Sequence, residues 1–180
     1  GRFWASSYED KRPELTNAQR KMLSHYDNAT LYNDSIVAQI VKRFQKQDAI
    51  VIYVPDHGEE CYEENRGFIC RNHSANIDWP LAHYEFEIPF WIYCSPKYIK
   101  AHRKIYKQIR AAKDKRFMTD ALPHLLLYLA GIETPTYKEE YNILSPKYNE
   151  MRPRILKNSV DYDKLRDEYY KKQEKKGAKK

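Results

Sequence analysis

The sequence predicts an α/β fold in which helices pack on the faces of a central sheet. Three observations lead there. AIVIYV at 49–54 is continuously apolar and β-branched, which suits a central strand covered on both faces. EIPFWIYC at 87–94 has the same character, and segments of helical period alternate with these two runs. At 180 residues with 42% hydrophobic and 14% aromatic content, the chain is long enough for one domain with a true core.

The elements follow in order. After an irregular start, Leu31, Ile36, Val37, Ile40, Val41 and Phe44 recur at the spacing of a helix with one buried face, with Asn28 as a fair N-cap and Asp48 at the end. The first strand then stops at Pro55, which has no amide for a ladder bond. Residues 58–80 carry the Gly, Asn and acidic types of a long loop, and loops of that length inside a compact domain are usually functional or mobile. Ser95-Pro96 closes the second strand. KYIKAHRKIYKQIRAA at 97–112 reads as one basic amphipathic helix. TDALPHLLLYLAGI reads as a helix opened by Thr119 or Asp120 and stopped by Gly131. Residues 133–150 are expected to run over the surface, and RPRIL at 152–156 to form a short edge strand. The folded part is set at 1–165 and a basic, frayed tail at 166–180.

Composition excludes several classes. No run of about eighteen apolar residues occurs, and GRFWASSYEDKRPE lacks a signal-peptide pattern, so no segment is predicted to enter a membrane. The net charge of +7 is concentrated in 97–116 and the C-terminal run; both read first as solvated helix face and tail, and nucleic acid is not an expected partner. Three cysteines are too few for a disulfide scaffold and lack zinc-finger spacing. Cys61 and Cys70 bracket one polar loop and are placed to pair in an oxidising compartment, leaving Cys94 free. There is no GxxxxGK[ST], GxGxxG or GxSxG motif.

Chemistry concentrates in VPDHGEE at 54–60. Ligands of open α/β sheets gather beyond the carboxyl ends of strands, where Asp56 and His57 stand. Carboxylate oxygen and imidazole nitrogen are suitable donors for Zn²⁺, and Gly58 permits a sharp turn that lets neighbours share one ion. On spacing alone the pair fits a helix cap with a surface histidine equally well. Glu59 and Glu60 read as supporting or solvated acids rather than ligands. His73 and His83 fit a metal ligand, a phosphoryl contact or plain exposure; His25, His102 and His124 read as structural.

HYDNATLYND at 25–34, AIVIYVPDHGEE at 49–60, RNH at 71–73, FEIPFWIYCS at 86–95, TDALPHLLLYLAGI at 119–132 and RPRIL with DYD at 161–163 stand in an order that resembles the sulfatase-like phosphoethanolamine transferases of the alkaline phosphatase superfamily. The resemblance is to the Bacteroidetes branch in particular and runs to about residue 165. It implies an alkaline phosphatase/sulfatase-like sandwich with a central, mostly parallel sheet. It also implies zinc as cofactor, bound by Asp56 and His57, with Glu59 orienting them. His73, with His83 as the alternative, would contact the transferred group. The implied reaction moves phosphoethanolamine from phosphatidylethanolamine to lipid A or a core sugar through a phosphothreonine-type intermediate. The setting would be the periplasmic face of the inner membrane, with membrane contact through an anchored parent. In that family the nucleophile and the remaining zinc ligands lie upstream of the matched region. The chain is therefore expected to be the C-terminal part of a catalytic domain, inactive alone, which also accounts for two strands where sheets average about five or six. The alternatives are a sulfatase, phosphodiesterase or phosphoglycerol transferase of the same superfamily, or a non-catalytic module binding an anionic surface.

Overall fold

The computed structural model describes residues 1–67 and 76–177, in two compact units: Gly1–Ala75 with Tyr84–Pro96, and Asn76–His83 with Lys97–Lys180. His73 and Cys70 lie outside the described residues.

In the first unit, helix α1 spans Asn17–Phe44. It begins well before Asn28 because Thr16 and Gln19 form a capping box: the Gln19 amide donates to the Thr16 hydroxyl at 3.3 Å and the Thr16 amide donates to Gln19 Oε1 at 2.8 Å. Asn28 is thus mid-helix and acts as a tertiary staple instead of a cap. Its Oδ1 accepts from the backbone amides of Arg2 (2.6 Å) and Phe3 (3.0 Å), and its Nδ2 donates to the carbonyls of Phe3 (2.8 Å) and Ser24 (2.7 Å). Tyr8, on the segment thereby held to α1, donates its hydroxyl to Asp27 and packs with Leu15, Leu23, Cys61 and Tyr62 in the core.

Strand β1, Ile50–Tyr53, pairs with β2, Trp91–Cys94, in the register Ile50↔Cys94 to Tyr53↔Trp91. The buried Ser95 pins that register: its amide donates to Ala49 O at 3.0 Å, and its hydroxyl donates to Gln47 O at 2.5 Å while accepting from the Ala49 amide at 3.3 Å. At the far end Tyr53 and Trp91 stack with ring centres 5.2 Å apart.

Both strands fall where the apolar runs place them, but the pair is antiparallel and only half-buried. An apolar run reports how much surface wants cover; it carries no information on strand direction, and among the described residues each of these strands has one neighbour. The stripe on α1 behaves alike, with Leu31, Ile36, Ile40 and Phe44 36–42% exposed.

The second unit opens with α2, Trp79–Leu81, capped by Asp78, whose Oδ1 accepts from the Leu81 amide at 3.1 Å. A π-helical turn, Ala82–Phe86, follows directly. The basic helix is two helices, α3 (Pro96–Ala101) and α4 (Arg103–Ala112), because His102 leaves helical geometry at φ −119°, ψ 46°. Helix α5, Leu122–Ala130, is entered through a 3-10 turn at Thr119–Ala121 and ends at Gly131 in the left-handed conformation, φ 66°. RPRIL supplies β3 (Ile155–Leu156), paired antiparallel with β4 (Val160–Asp161). The expected frayed tail is helical through its described residues: α6 runs Tyr162–Gly177. Its Tyr162, Tyr169 and Tyr170 surround the buried Trp79 with ring centres 5.4–6.2 Å away.

Asp163 ties β3 to this helix. Its carboxylate accepts from Arg154 (Nη2 2.6 Å, Nε 3.2 Å) and from Arg116, with Arg166 at 3.5 Å. The hydrogen bonds from Arg154, and then the nearby guanidinium charges, hold its pKa below the ordinary 3.8 against an opposing desolvation effect. A folded-state pKa below the unfolded one means stability that is present above pH 3.8 and lost as pH falls through the lower folded value. Asp163→Asn is therefore expected to cost about 2 kcal/mol at neutral pH, seen as a thermal midpoint lowered by roughly 4–8 °C. Its difference from wild type should shrink progressively below pH 3.8.

Candidate metal centre

The segment after β1 is held by its backbone. Gly58 N–H donates to the Glu85 carbonyl at 2.8 Å, and a Cβ at position 58 would overlap the Tyr84 carbonyl oxygen. Gly58 is therefore needed for close approach. The positive-φ glycines among the described residues are Gly67 and Gly131, so a left-handed turn at Gly58 is not what the sequence encodes.

This clamp orients His57. Its Nδ1 lies 2.7 Å from the Gly58 carbonyl oxygen, which can only accept, so Nδ1 carries the proton and Nε2 presents its lone pair. Nε2 stands 3.6 Å from Oδ2 of Asp56, while Asp56 Oδ1 accepts from the His57 amide at 3.1 Å. Two donors bound at about 2.0–2.1 Å to one tetrahedral ion stand about 3.3–3.4 Å apart, so the observed spacing needs only a small adjustment. The Asp56 side chain is 80% exposed and that of His57 24%, an arrangement open to solvent on the carboxylate side.

Glu59 is half-buried in the same strand-end turn, and its charge contributes to the raised pKa of Tyr26 on α1. Burial is the largest cause there; the charges of Cys61, Glu59, Asp27 and Glu63 add to it. Glu60, expected to be supporting or solvated, is fully buried and pairs with Arg66 Nε at 2.7 Å. Beyond it, Arg12 donates to the Tyr62 carbonyl at 2.6 Å and to Glu14 at 2.5 Å; Arg12 and Glu14, with Glu63, Glu64 and Tyr84, line an open cleft of about 490 Å³.

The other candidates stand elsewhere. His83 belongs to the second unit, exposed and stacked on Trp79 at 5.7 Å. His25 is exposed on α1. His102 packs on Tyr98 at 4.3 Å, and His124 accepts from the Lys138 amide at 3.1 Å. Among the described residues no group of three or more His, Cys, Asp or Glu side chains converges, so Asp56 and His57 form a pair. Sequence reading missed the Glu60–Arg66 pair, for which the acidic loop was the one local signal, and the approach of Gly58 to Tyr84 and Glu85, which no local pattern announces.

A family model described as Sulfatase matches residues 3–132. The chain belongs to the sulfatase family. Within that family it is similar to the phosphoethanolamine transferase EptC of Escherichia coli, 31% identical over 160 residues, covering 85% of this chain and 26% of the relative. It is also 30% identical over 104 residues to the Kdo(2)-lipid A phosphoethanolamine 7''-transferase of Escherichia coli, covering 56% of this chain and 17% of that protein. The crystal structure of the C-terminal periplasmic domain of Escherichia coli EptC in complex with Zn superposes with a TM-score of 0.69 at 26% identity, covering 88% of this chain and 46% of that one. This sulfatase-family chain thus matches about a quarter of the length of EptC and about a sixth of that of the second relative. No helix among its described residues is long and apolar enough to cross a membrane.

Gly58→Ala is expected to destabilise the first unit by about 1–3 kcal/mol, the usual cost of forcing atoms into a filled site. Thermal denaturation would report the loss, and NMR of the His57 ring should show Nδ1 released from its carbonyl.

Proposed function

We propose that this chain is the zinc-binding C-terminal part of a phosphoethanolamine transferase catalytic domain, with Asp56 and His57 as two of the metal's ligands. The observation that carries the reading is the 3.6 Å spacing of Asp56 Oδ2 and His57 Nε2 with the His57 tautomer fixed by Gly58. The donor set fits zinc, and a catalytic zinc usually takes three protein ligands; the remaining ones come from residues outside this pair. Bound zinc would polarise a phosphoryl oxygen and lower the pKa of the nucleophile.

The chain's own residues do the positioning. Gly58 O holds the His57 ring with Nε2 left to take an ion, Asp56 offers its exposed carboxylate, and Glu59, half-buried in the same turn, is assigned to orient the two ligands. His73 is assigned to the transferred group, with His83 as the alternative. The activities named for the relatives support phosphoethanolamine as the group and lipid A as an acceptor; a core sugar as the other acceptor, phosphatidylethanolamine as donor and a phosphothreonine intermediate on an upstream threonine complete the reading. The structural neighbour is a periplasmic domain, which supports a periplasmic location; the face of the inner membrane is the setting this reading adds. In this reading β1 and β2 join a larger, mostly parallel sheet, residues 1–165 are the catalytic portion, and 166–180 are a basic extension. Hydrolysis of a sulfate or phosphate diester is the second reading, since the family match alone fits it.

The test uses protein that carries the complete catalytic domain. Asp56→Ala and His57→Ala should each weaken zinc binding by at least about a hundred-fold, beyond the 10–100-fold that loss of an outer partner costs. Metal analysis after dialysis reads this directly, and phosphoethanolamine transfer should fall in parallel. Full zinc occupancy in His57→Ala would sink the assignment. Sulfate-ester hydrolysis in place of transfer would favour the second reading.

A further inference from the structure

Helix α4 and the end of α3 carry a stripe of positive charge that the site does not use. Lys100, Arg103, Lys104, Lys107 and Arg110 are all exposed; the last four recur along α4 at spacings of three and four, which on a helix is one face, and Lys100 stands at the end of α3 just before the break at His102. Residues 96–113 contain no Asp or Glu, and among the described residues none of the five takes part in an ion pair. A face that merely meets water usually interleaves opposite charges, because like charges at these spacings repel and weaken the helix. Here the repulsion is left unrelieved. Arg103 and Lys104 moreover occupy the first turn of α4, at the positive end of the helix dipole, and no acidic residue stands there. The sequence thus accepts two local penalties for charges that no internal contact rewards.

We propose that this face docks on an anionic phospholipid bilayer, holding the domain with the second unit against the membrane surface. The apolar side of the same helix, Ile105, Ile109 and the buried Ala112, is turned into the unit, so the outward face offers charge alone. That suits a peripheral electrostatic contact, in which each Lys or Arg near the surface adds to binding and the sum falls with screening. Nucleic acid is the less suitable polyanion. The aromatic residues of α3 and α4 are Tyr98, which is buried, and Tyr106, which is half-buried, so no exposed ring stands among the cations for bases to stack on. The inference rests on the transferase reading for its lipid setting, but its test does not involve zinc or turnover.

Co-sedimentation of the chain with phosphatidylcholine vesicles, with and without phosphatidylglycerol, provides that test. Binding is expected only to the anionic vesicles. It should weaken steeply as salt rises from about 0.1 to about 1 M, which shortens the screening length from about 10 to about 3 Å. Each basic residue near the surface is worth roughly a five-fold change in partition, so Arg103→Glu/Lys107→Glu/Arg110→Glu together should lower it by at least about a hundred-fold. The corresponding triple Gln variant, which keeps the helix free of new charge, should fall between wild type and the Glu variant. Asp56→Ala should bind vesicles as wild type does, whatever becomes of the zinc assignment. Equal binding by the triple Glu variant, no preference for phosphatidylglycerol, or tighter binding to single-stranded RNA than to vesicles would each overturn the proposal.

Discussion

The hydrogen bond from Gly58 to the Glu85 carbonyl is the constraint on which the candidate centre depends. It brings the strand-end turn against the segment leading into β2, and it does so at a distance only glycine allows, with the Tyr84 carbonyl where a side chain would begin. Once that contact is made, the Gly58 carbonyl is fixed, the imidazole of His57 is fixed through it, and the Asp56 oxygen is within a ligand's spacing of Nε2. A loop held only by its own side chains would leave each of these free to move, whereas metal sites depend on supporting contacts of this kind.

Glu60 and Arg66 complete the fixation on the far side of the turn. A fully buried carboxylate has lost its water, and a guanidinium at 2.7 Å restores part of what was lost. Such a pair contributes little net stability, since desolvation offsets attraction, but any arrangement of the loop that separates the partners leaves a charge stranded. Its effect is to disfavour alternatives. Ser95 and Asn28 do comparable work with neutral groups, each placing one side chain where it satisfies several backbone atoms of a neighbouring segment.

What could be read from the sequence divides along physical lines. Signals that act within a few residues were legible: Pro55 ending a strand, Gly131 ending α5, the alternation of apolar runs and helical stripes, and an Asp-His pair at a strand end. The Thr16–Gln19 capping box was equally local and marks the true start of α1; Asn28 competed with it because a lone Asn also resembles a cap. Features made by distant partners were not legible. Asn28 bonding to Arg2 and Phe3, Glu60 buried against Arg66, and the antiparallel pairing of β1 with β2 depend on which segments meet, and residue type alone does not record that. His102 interrupts the basic helix without any Pro or Gly to announce it.

The half-buried β1–β2 ribbon has a consequence for handling the molecule. β1 is four residues of Ile, Val and Tyr, and among the described residues each strand has a single strand neighbour, so each has one edge beside apolar side chains with no described strand paired to it. Edges of that composition template further strands, from another copy as readily as from a natural neighbour. Self-association through this ribbon is then the expected hazard when the chain is concentrated. A lysine on the outward side of β1 would be the conservative remedy.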